Sequence, residues 1–328
     1  MNREISTFGL APSMVAMLSN AGFRTALDFD GVKPNELSQE LEISHEEALK
    51  IIQIISRNGA PKNEDRVTAL DLLQKEPSRG CVMTFNVDLD ELLGDGVQVG
   101  QVTEFCGVPG IGKTQLGMQL AADACIPVYY DGLGAKVIYI DTEGSFVAER
   151  MQEIAEATVT HIHRIAEESN KPEDVEAANA FTIKEVLSSI QYYRVHDFVE
   201  QVALVNILPL LMDQQPGVRL IVMDSVAFHF RHFDDFQSRS RLLNTMAQNL
   251  TNIARDRSVA VVLINQMTTA YQNGEPYLVA ALGENWSHAA TNRVLLSWED
   301  GYRCASLQKS PNRPFGTVRY NVTQAGIR

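Results

Sequence analysis

The sequence predicts an α/β fold, a mostly parallel β-sheet with helices on both faces, preceded in the chain by a small all-α domain. Apolar positions recur at helical spacing within residues 10–58, and a polar, interrupted stretch follows from Gly59 to about Pro77. Beyond it, short β-branched runs alternate with helical stretches. The expected domains are a helical domain over residues 1–60, a linker over 61–80 and an α/β core over 81–328.

The composition places the chain among soluble globular proteins of a reducing compartment. Hydrophobic residues make up 45% and charged residues 21%, which is far from the composition of disordered chains. No apolar run approaches the roughly 18 residues that a membrane span needs, and the N-terminus lacks a basic flank followed by an apolar block. The four cysteines share no CxxC spacing, so neither a zinc site nor a disulfide framework is expected.

The net charge limits the ways in which the chain can meet nucleic acid. Lysine plus arginine number 28 against 41 aspartate plus glutamate, which gives a net charge of -13. This charge opposes long-range attraction to nucleic-acid phosphate. Any contact with DNA therefore requires a local basic patch or a partner that supplies the positive charge.

The N-terminal domain is predicted to consist of short helices, with turns near Gly22 and Gly31. Its stretch AGFRTALDFDGVKP, residues 21–34, resembles a helix-hairpin-helix element, in which backbone amides at a glycine turn approach a DNA phosphate. Residues 1–60 hold five basic and eight acidic side chains, however. Docking onto a protein is therefore the first interpretation of this domain, and direct DNA binding is the second.

Six apolar runs in the core are long enough for buried strands and too short for helices. They are VTEF, VIYID, IQYYRV, RLIVMD, VAVVLIN and RVLLSW. The last segments, Tyr302 to Leu307 and Gly316 to Val322, are predicted to be antiparallel edge strands. The charged stretch ESNKPEDVEAA, residues 168–178, is expected to be solvated and partly disordered.

The stretch GVPGIGKT, residues 107–114, fits the pattern GxxxxGK[ST] of a phosphate-binding loop. It follows the strand VTEFC and precedes a predicted helix, which is the context that the motif requires. Backbone amides turned inward at the glycines, the helix dipole and the Lys113 ammonium would grip a triphosphate, while the Thr114 hydroxyl would ligate Mg²⁺. The predicted ATP-binding residues of this loop are Gly107, Val108, Pro109, Gly110, Ile111, Gly112, Lys113, Thr114 and Gln115.

Three further polar side chains follow predicted strands at the same edge of the sheet. Asp224 ends RLIVMD, where a strand terminus delivers a carboxylate to the Mg²⁺ shell. Glu143 lies just beyond VIYID and could orient and deprotonate the attacking water. Gln266 follows VAVVLIN, and a neutral amide there could hydrogen-bond the γ-phosphate and report its loss. Each could instead cap a turn or a helix.

With these residues in this order, the chain resembles the eukaryotic RecA-like strand-exchange recombinases over essentially its full length. The resemblance is carried by GVPGIGKTQL, IDTEGSF, LIVMDS, INQM and ALGENWSHAATNR. The residues within these motifs are similar to those of the paralogue branch of the family. It implies a RecA-like P-loop ATPase core that uses ATP and Mg²⁺ and is DNA-dependent. It also implies a role in homologous recombination with other paralogues and the recombinase filament, in the nucleus and, as a second location, the cytoplasm.

The resemblance also assigns residues, position by position. Lys113 and Thr114 match the phosphate-loop pair, Glu143 matches the glutamate that activates water, Asp224 the second acidic motif, and Gln266 the glutamine that senses the γ-phosphate. Three more residues match positions that contact nucleotide. Arg150 matches an arginine that packs on adenine, and His288 and Lys309 match positions that contact nucleotide held by the neighbouring protomer.

The segments that match the family's DNA-facing loops are poor in positive charge. In the first DNA-facing loop, about residues 226–240, the basic residues Arg231 and Arg239, with Arg241 just beyond, are offset by Asp234 and Asp235. The second DNA-facing loop, about residues 267–282, contains no lysine or arginine. Single-stranded DNA is held by cationic groups, and aromatic rings such as Tyr271 and Tyr277 only supplement them.

These observations leave three functional hypotheses. The first is an ATP-binding paralogue subunit of a heteromer, with nucleotide held between subunits and with weak or partner-dependent ATP hydrolysis. The second is a self-sufficient recombinase that forms filaments on single strands, although the family's polymerisation segment has no clear match between Arg66 and Cys81. The third is a small-molecule kinase, which would need an arginine-rich lid and an acceptor pocket that the sequence does not display.

Overall fold

The computed structural model describes residues 4–8, 10–29, 31–58, 68–70, 80–231, 233, 235–272 and 275–328. The chain divides into two compact units, Met1–Glu76 and Pro77–Arg328. Most of the predicted linker over 61–80, together with Asp234, lies outside the described residues.

The N-terminal unit is helical. Its described helices are α1 (Pro12–Asn20), α2 (Pro34–Glu40) and α3 (His45–Asn58). Proline at the first position starts α1 and α2, and a capping box of Ser44 and Glu47 precedes α3. Apolar side chains from all three helices form one core, whose fully buried members include Leu18, Leu37 and Ala48. Burial of each such leucine stabilises the folded state by about 1.5–3 kcal/mol.

The second unit is built on a nine-stranded sheet. The strands are β3 (Val102–Gly107), β4 (Lys136–Asp141), β5 (Ile190–Arg194), β6 (Val218–Asp224), β7 (Ala260–Gln272), β8 (Glu275–Ala280), β9 (Asn292–Glu299), β10 (Tyr302–Lys309) and β11 (Gly316–Tyr320). Their order in the sheet is β11-β10-β9-β3-β7-β6-β4-β5, with β8 paired to β7. Strands β9, β3, β7, β6, β4 and β5 are parallel neighbours, whereas β8, β10 and β11 join antiparallel.

Two short strand pairs flank this sheet, and helices lie along the rest of the unit. The pairs are β1 (Cys81–Val82) with β2 (Val97–Gln98), and β12 (Val322–Thr323) with β13 (Gly326–Ile327). The helices are α4 (Val87–Leu93), α5 (Lys113–Asp123), α6 (Ala148–Ser169), α7 (Pro172–Ala180), α8 (Ile183–Ser189), α9 (Phe198–Gln214), α10 (Phe236–Arg257) and α11 (Glu284–Ser287).

Successive side chains of a strand point to opposite faces of the sheet. In the central strands both faces are buried, each in its own core. On β6, Leu220 and Val222 belong to one core, which also holds residues of α5 and α6. Ile221 and Met223 belong to a second core with residues of α9 and α10. The predicted α/β class, a mostly parallel sheet covered on both faces and preceded by a helical region, is confirmed. No helix among the described residues is long and apolar enough to cross a bilayer.

The segment predicted to be the second DNA-facing loop is formed largely by two paired strands, and its contact with DNA stays a prediction. Strand β7 continues past Asn265 to Gln272 and pairs with β8 in antiparallel register, from Met267 opposite Ala280 to Gln272 opposite Glu275. Threonine, tyrosine and valine favour this extended pairing. The Asn-Gly dipeptide at 273–274, a common hairpin turn, was the signal in the sequence, although those two residues lie outside the described part of the chain.

Two other segments are more helical than expected. Helix α10 begins at Phe236, inside the first DNA-facing loop, because the Asp235 carboxylate accepts hydrogen bonds from Gln237 N (2.9 Å) and Ser238 N (3.3 Å) and caps the helix. The charged stretch over 168–178 is not disordered, since α6 runs to Ser169 and α7 begins at Pro172. Proline at the first position and two acidic residues in the first turn favour α7.

Candidate nucleotide site

The polar residues that follow four parallel strands meet at one edge of the sheet, here called the carboxyl edge. Strands β3, β7, β6 and β4 are successive neighbours, and in register Gly107 lies opposite Gln266 while Asp141 lies opposite Asp224. In open α/β sheets, ligands bind outside the carboxyl ends of the strands. The register therefore brings the phosphate loop, Glu143, Asp224 and Gln266 to one place.

The phosphate loop turns tightly between β3 and α5. Gly110 and Gly112 have φ of +75° and +108°, a region that favours glycine, and a Cβ on Gly112 would lie 2.8 Å from Val322 Cγ2. Lys113 begins α5, and its Nζ donates to the carbonyl oxygens of Gly107 (2.8 Å) and Val108 (2.9 Å). Burial lowers the pKa of the Lys113 ammonium. The loop thus presents a half-buried cation at the start of a helix, where an anion binds well.

Thr114 and Asp224 form the candidate metal site. The Thr114 hydroxyl donates to Asp224 Oδ2 at 2.6 Å, and the buried Tyr139 hydroxyl donates to the same oxygen at 3.2 Å. Burial raises the pKa of Asp224 to about 6, while the Thr114 hydrogen bond and the Tyr139 hydrogen bond act in the opposite direction. A hydroxyl and a carboxylate side by side are hard oxygen donors of the kind that Mg²⁺ prefers. These two residues therefore fit the metal that the sequence predicts.

Glu143 is held at the carboxyl edge by neighbours on both sides. Its Oε1 accepts hydrogen bonds from Ser225 Oγ at 2.6 Å and from Gln266 Nε2. The fully buried Asp141 shapes the turn beneath it, because Asp141 Oδ1 accepts from the backbone N–H groups of Glu143 (3.0 Å) and Gly144 (2.7 Å). The glutamate that could accept a proton and the amide that could contact a γ-phosphate are therefore hydrogen-bonded to each other.

A cavity of about 400 Å³ opens over these groups. Arg231, which the sequence assigned to the first DNA-facing loop, lies in its wall beside the phosphate loop and is exposed. The buried Oε1 of Gln266 has no hydrogen-bond partner among the described residues. Two cations, two carboxylates and a free amide acceptor suit a triphosphate with a divalent metal. The cavity is lined by Pro109, Gly110, Gly112, Lys113, Thr114, Gln115, Glu143, Asp224, Arg231 and Gln266.

Arg150 lies next to this cavity without lining it. Its Nε donates to Gln115 Oε1 at 2.7 Å, and its two terminal nitrogens donate to the carbonyl oxygens of Gln324 and Thr323 at 2.6 Å each. Glu153 accepts a further bond at 2.6 Å. The guanidinium edges thus join α5 to the end of β12 and the residue after it, which leaves only the flat faces of the guanidinium for the predicted contact with adenine.

His288 and Lys309 lie together, away from this cavity. Lys309 Nζ donates to the carbonyl oxygens of Ser287 (3.1 Å) and Ala290 (2.6 Å), which flank His288 in sequence. His288 is exposed at the end of α11, while Lys309 is half-buried in β10. The predicted contact of this pair with a neighbour's nucleotide stays a prediction. Arg239 and Arg241 lie in the first two turns of α10, outside the cavity lining.

The sequence motifs did not indicate two supporting residues, Tyr139 and Ser225, or the place of Arg231 in the nucleotide cavity. Tyr139 and Ser225 hold Asp224 and Glu143, and their signal was their position on β4 and directly after β6. No sequence pattern predicted that Arg231 lines the nucleotide cavity. Its position there depends on how the neighbouring residues pack in the folded unit. Phe230, its neighbour, is fully buried in the second core.

The comparisons with known proteins agree with this geometry. The profile of the family described as Rad51 matches residues 80–182 and 160–328. DNA repair protein RAD51 homolog 3 of Cricetulus griseus is 43% identical, with 100% of this chain and 92% of the relative covered. The protein of the same name from Dictyostelium discoideum is 39% identical over 81% of this chain and 71% of its own. DNA repair protein RAD51 homolog 2 of Homo sapiens is 29% identical over 99% and 88%.

Proposed function

The chain belongs to the Rad51 family, and from this premise we propose that it is an ATP-binding paralogue subunit that acts in homologous recombination repair of DNA double-strand breaks. Its motifs resemble recombinase paralogue C, and the similarity to proteins named RAD51 homolog 3 confirms that resemblance. In this proposal the chain works within a heteromeric complex of Rad51-family subunits. ATP and Mg²⁺ lie at the subunit interfaces, and the complex assists a recombinase filament in the nucleus.

One observation carries the proposal. The Lys113 ammonium, the Thr114–Asp224 pair, Glu143 and Gln266 line a single cavity at the carboxyl ends of adjacent strands. Phosphoryl transfer needs a group that holds the β- and γ-phosphates, oxygen ligands for the metal, and a residue that orients the nucleophile. The residues of this cavity supply all three. Arg150, His288 and Lys309 are proposed to complete the contacts with nucleotide, the last two from one subunit to the next.

The geometry supports hydrolysis by these residues. Ser225 and Gln266 both donate to Glu143 Oε1, so one carboxylate oxygen is fixed by neighbours. The carboxylate could accept the proton of an attacking water, and the Gln266 amide could then lose its phosphate contact as the γ-phosphate leaves. Bound Mg²⁺ would neutralise phosphate charge, with Thr114 and Asp224 as its protein ligands. We propose that turnover is weak in the isolated chain and is stimulated by DNA through the partners.

Arg231 is proposed to support the phosphates from within the same subunit. It lies in the wall of the cavity with Lys113, and the pKa of the Lys113 ammonium is lowered mainly by burial and to a smaller extent by the nearby Arg231 charge. Since Arg239 and Arg241 lie on α10 outside the cavity, they remain the proposed DNA-facing pair of the first DNA-facing loop.

Arg231→Ala is expected to weaken ATP binding roughly 5- to 30-fold, because a cation near the γ-phosphate is lost. Isothermal titration of the chain with a non-hydrolysable ATP analogue and Mg²⁺ measures this change. Arg241→Ala is the matched control, an exposed arginine outside the cavity, and its nucleotide affinity should equal that of the parent. Equal affinity in both variants would contradict the role given to Arg231.

The charge distribution favours a heteromer over a self-sufficient filament. The hairpin of β7 and β8 carries no lysine or arginine over residues 267–282, and the chain has a net charge of -13. A groove that holds single-stranded DNA combines positive charge with stacking aromatics. We therefore propose that DNA contact is made mainly through the assembled complex.

Light scattering of the purified chain tests the proposal. We expect the chain alone to stay small with ATP, Mg²⁺ and single-stranded DNA, and to form a complex of defined mass when a second Rad51-family subunit is added with ATP and Mg²⁺. Excess EDTA should dissociate this complex or weaken it strongly. Filaments whose length follows that of the DNA, formed by the chain alone, would instead support the self-sufficient recombinase. Phosphate transfer to a metabolite without any response to DNA would support a kinase.

A further inference from the structure

A buried carboxylate lies at the centre of the sheet, on Glu104, the third residue of β3. Glu104 is fully buried, and its Oε1 accepts hydrogen bonds from Asn265 Nδ2 (2.7 Å) and Trp286 Nε1 (2.9 Å). Its Oε2 accepts from Arg293 Nε at 2.5 Å, in an ion pair whose arginine side chain is 13% exposed. One side chain of β3 is therefore bonded to β7, to α11 and to β9.

One branch of this network leads to the candidate nucleotide site. Asn265 Oδ1 accepts from the backbone N–H of Gln266 at 2.8 Å, and Asn265 Nδ2 also donates to the Ala281 carbonyl at 3.0 Å. The Gln266 side chain lines the cavity and donates to Glu143. The Gln266 side-chain amide faces the cavity and the Asn265 side-chain amide is bonded to Glu104, and the two residues are adjacent in the chain.

The other branch leads to the surface that carries His288. Trp286 is 1% exposed, so its indole fixes the short helix α11 against the core. The carbonyls of Ser287 and Ala290 on either side of His288 are held by Lys309. None of Trp286, His288 and Lys309 lines the nucleotide cavity.

We propose that Glu104 is a positioning residue that couples the chain's own nucleotide site to α11, the segment that faces the neighbouring subunit. The inference rests on the proposed function, because it assigns α11 to the inter-subunit contact. When Gln266 turns toward a γ-phosphate, the adjoining Asn265 amide shifts with it. A buried carboxylate is costly to leave without its donors, so Trp286 and Arg293 must adjust to keep it paired. The state of one nucleotide site then changes the surface offered to the next subunit.

The two tryptophans of the chain make this coupling measurable. Trp286 is the donor to Glu104, whereas Trp298 is 49% exposed on β9 and lies under the Arg303 guanidinium. The full chain is labelled with 5-fluorotryptophan, assembled with an unlabelled Rad51-family partner and observed by ¹⁹F NMR. The Trp298→Phe variant assigns the remaining resonance to Trp286.

The Trp286 resonance should move when a non-hydrolysable ATP analogue and Mg²⁺ bind, and should move less with ADP. In the Gln266→Ala variant, held at a nucleotide concentration that calorimetry shows to be saturating, the movement should be lost. An unmoved resonance in the nucleotide-bound parent, or an equal movement in Gln266→Ala, would overturn the coupling alone. Absence of any nucleotide binding by calorimetry would overturn the proposed function as well.

A second variant tests the role without removing the buried charge, since Glu104→Ala risks loss of folding. Trp286→Phe keeps an aromatic ring and removes only the Nε1 donor. ATP should tighten the complex of the parent chain with its partner about five-fold or more, a usual size for coupling between sites. Trp286→Phe should bring that ratio close to one, while Trp298→Phe leaves it unchanged. An unaltered ratio in Trp286→Phe would contradict the role of Glu104.

Discussion

Lys113→Ala is expected to reduce the affinity of the chain for ATP about 100-fold or more. The ammonium begins α5 and is half-buried among the phosphate-loop carbonyls, so its charge acts on a bound phosphate with little screening. Two or more charge-assisted hydrogen bonds would be lost, and a 100-fold change corresponds to about 2.7 kcal/mol. Calorimetry with an ATP analogue and Mg²⁺ measures the change directly.

The same variant is expected to lose ATP-dependent assembly with a Rad51-family partner. Because Lys113 bonds only to loop carbonyls among the described residues, the fold of the α/β unit should survive its removal. Lys136→Ala is a suitable control, since Lys136 is exposed at the start of β4 on the opposite edge of the sheet. If the Lys113 variant binds nucleotide and assembles like the parent chain, the proposed role of the phosphate loop is wrong.

Glu143→Gln is expected to lower the rate of ATP hydrolysis by a factor of about 10² to 10⁴ while nucleotide binding is kept. Glutamine has the size of glutamate, and its amide oxygen can still accept from Ser225 Oγ and Gln266 Nε2. It cannot take a proton from water at neutral pH. The variant should therefore hold ATP and prolong the lifetime of the ATP-dependent complex.

Phosphate release by the assembled complex with single-stranded DNA measures this effect. Glu149→Gln supplies the control, because Glu149 lies exposed in the first turn of α6, six residues further along the chain. Turnover by Glu143→Gln within two-fold of the parent would exclude Glu143 as the proton acceptor. Slow turnover accompanied by weak binding would instead point to damage of the cavity.

The sequence was informative about the candidate site where its signals are local. The phosphate loop needs glycines at fixed places, then lysine and threonine at the start of a helix, and all of these lie within eight residues. Asp224 and Glu143 follow apolar runs that are too short for helices. Once the strands are taken as parallel, their ends must share one edge. Proximity of these residues therefore followed from pattern and fold class together.

Two features of the predicted DNA-facing segments also had local signals in the sequence. Strands β7 and β8 pair across an Asn-Gly dipeptide, and the Asp235 carboxylate caps α10 two residues before Gln237. Arg231, which the sequence predicts to face DNA, lines the nucleotide cavity in the structure. In the sequence, the position of Asp235 directly before the residues of α10 is a helix-capping signal as well as a negative charge.

The class of the sheet, the phosphate loop and the carboxylates that follow β4 and β6 could be predicted from the sequence alone, because short-range periodicity and turn chemistry encode them. The bonds from Glu104 on β3 to Asn265, Trp286 and Arg293 became visible only in the folded chain, since these residues lie 161 to 189 positions further along. No local pattern specifies which donors a buried carboxylate will meet. That choice follows from strand order and register, which are set by the packing of the whole core.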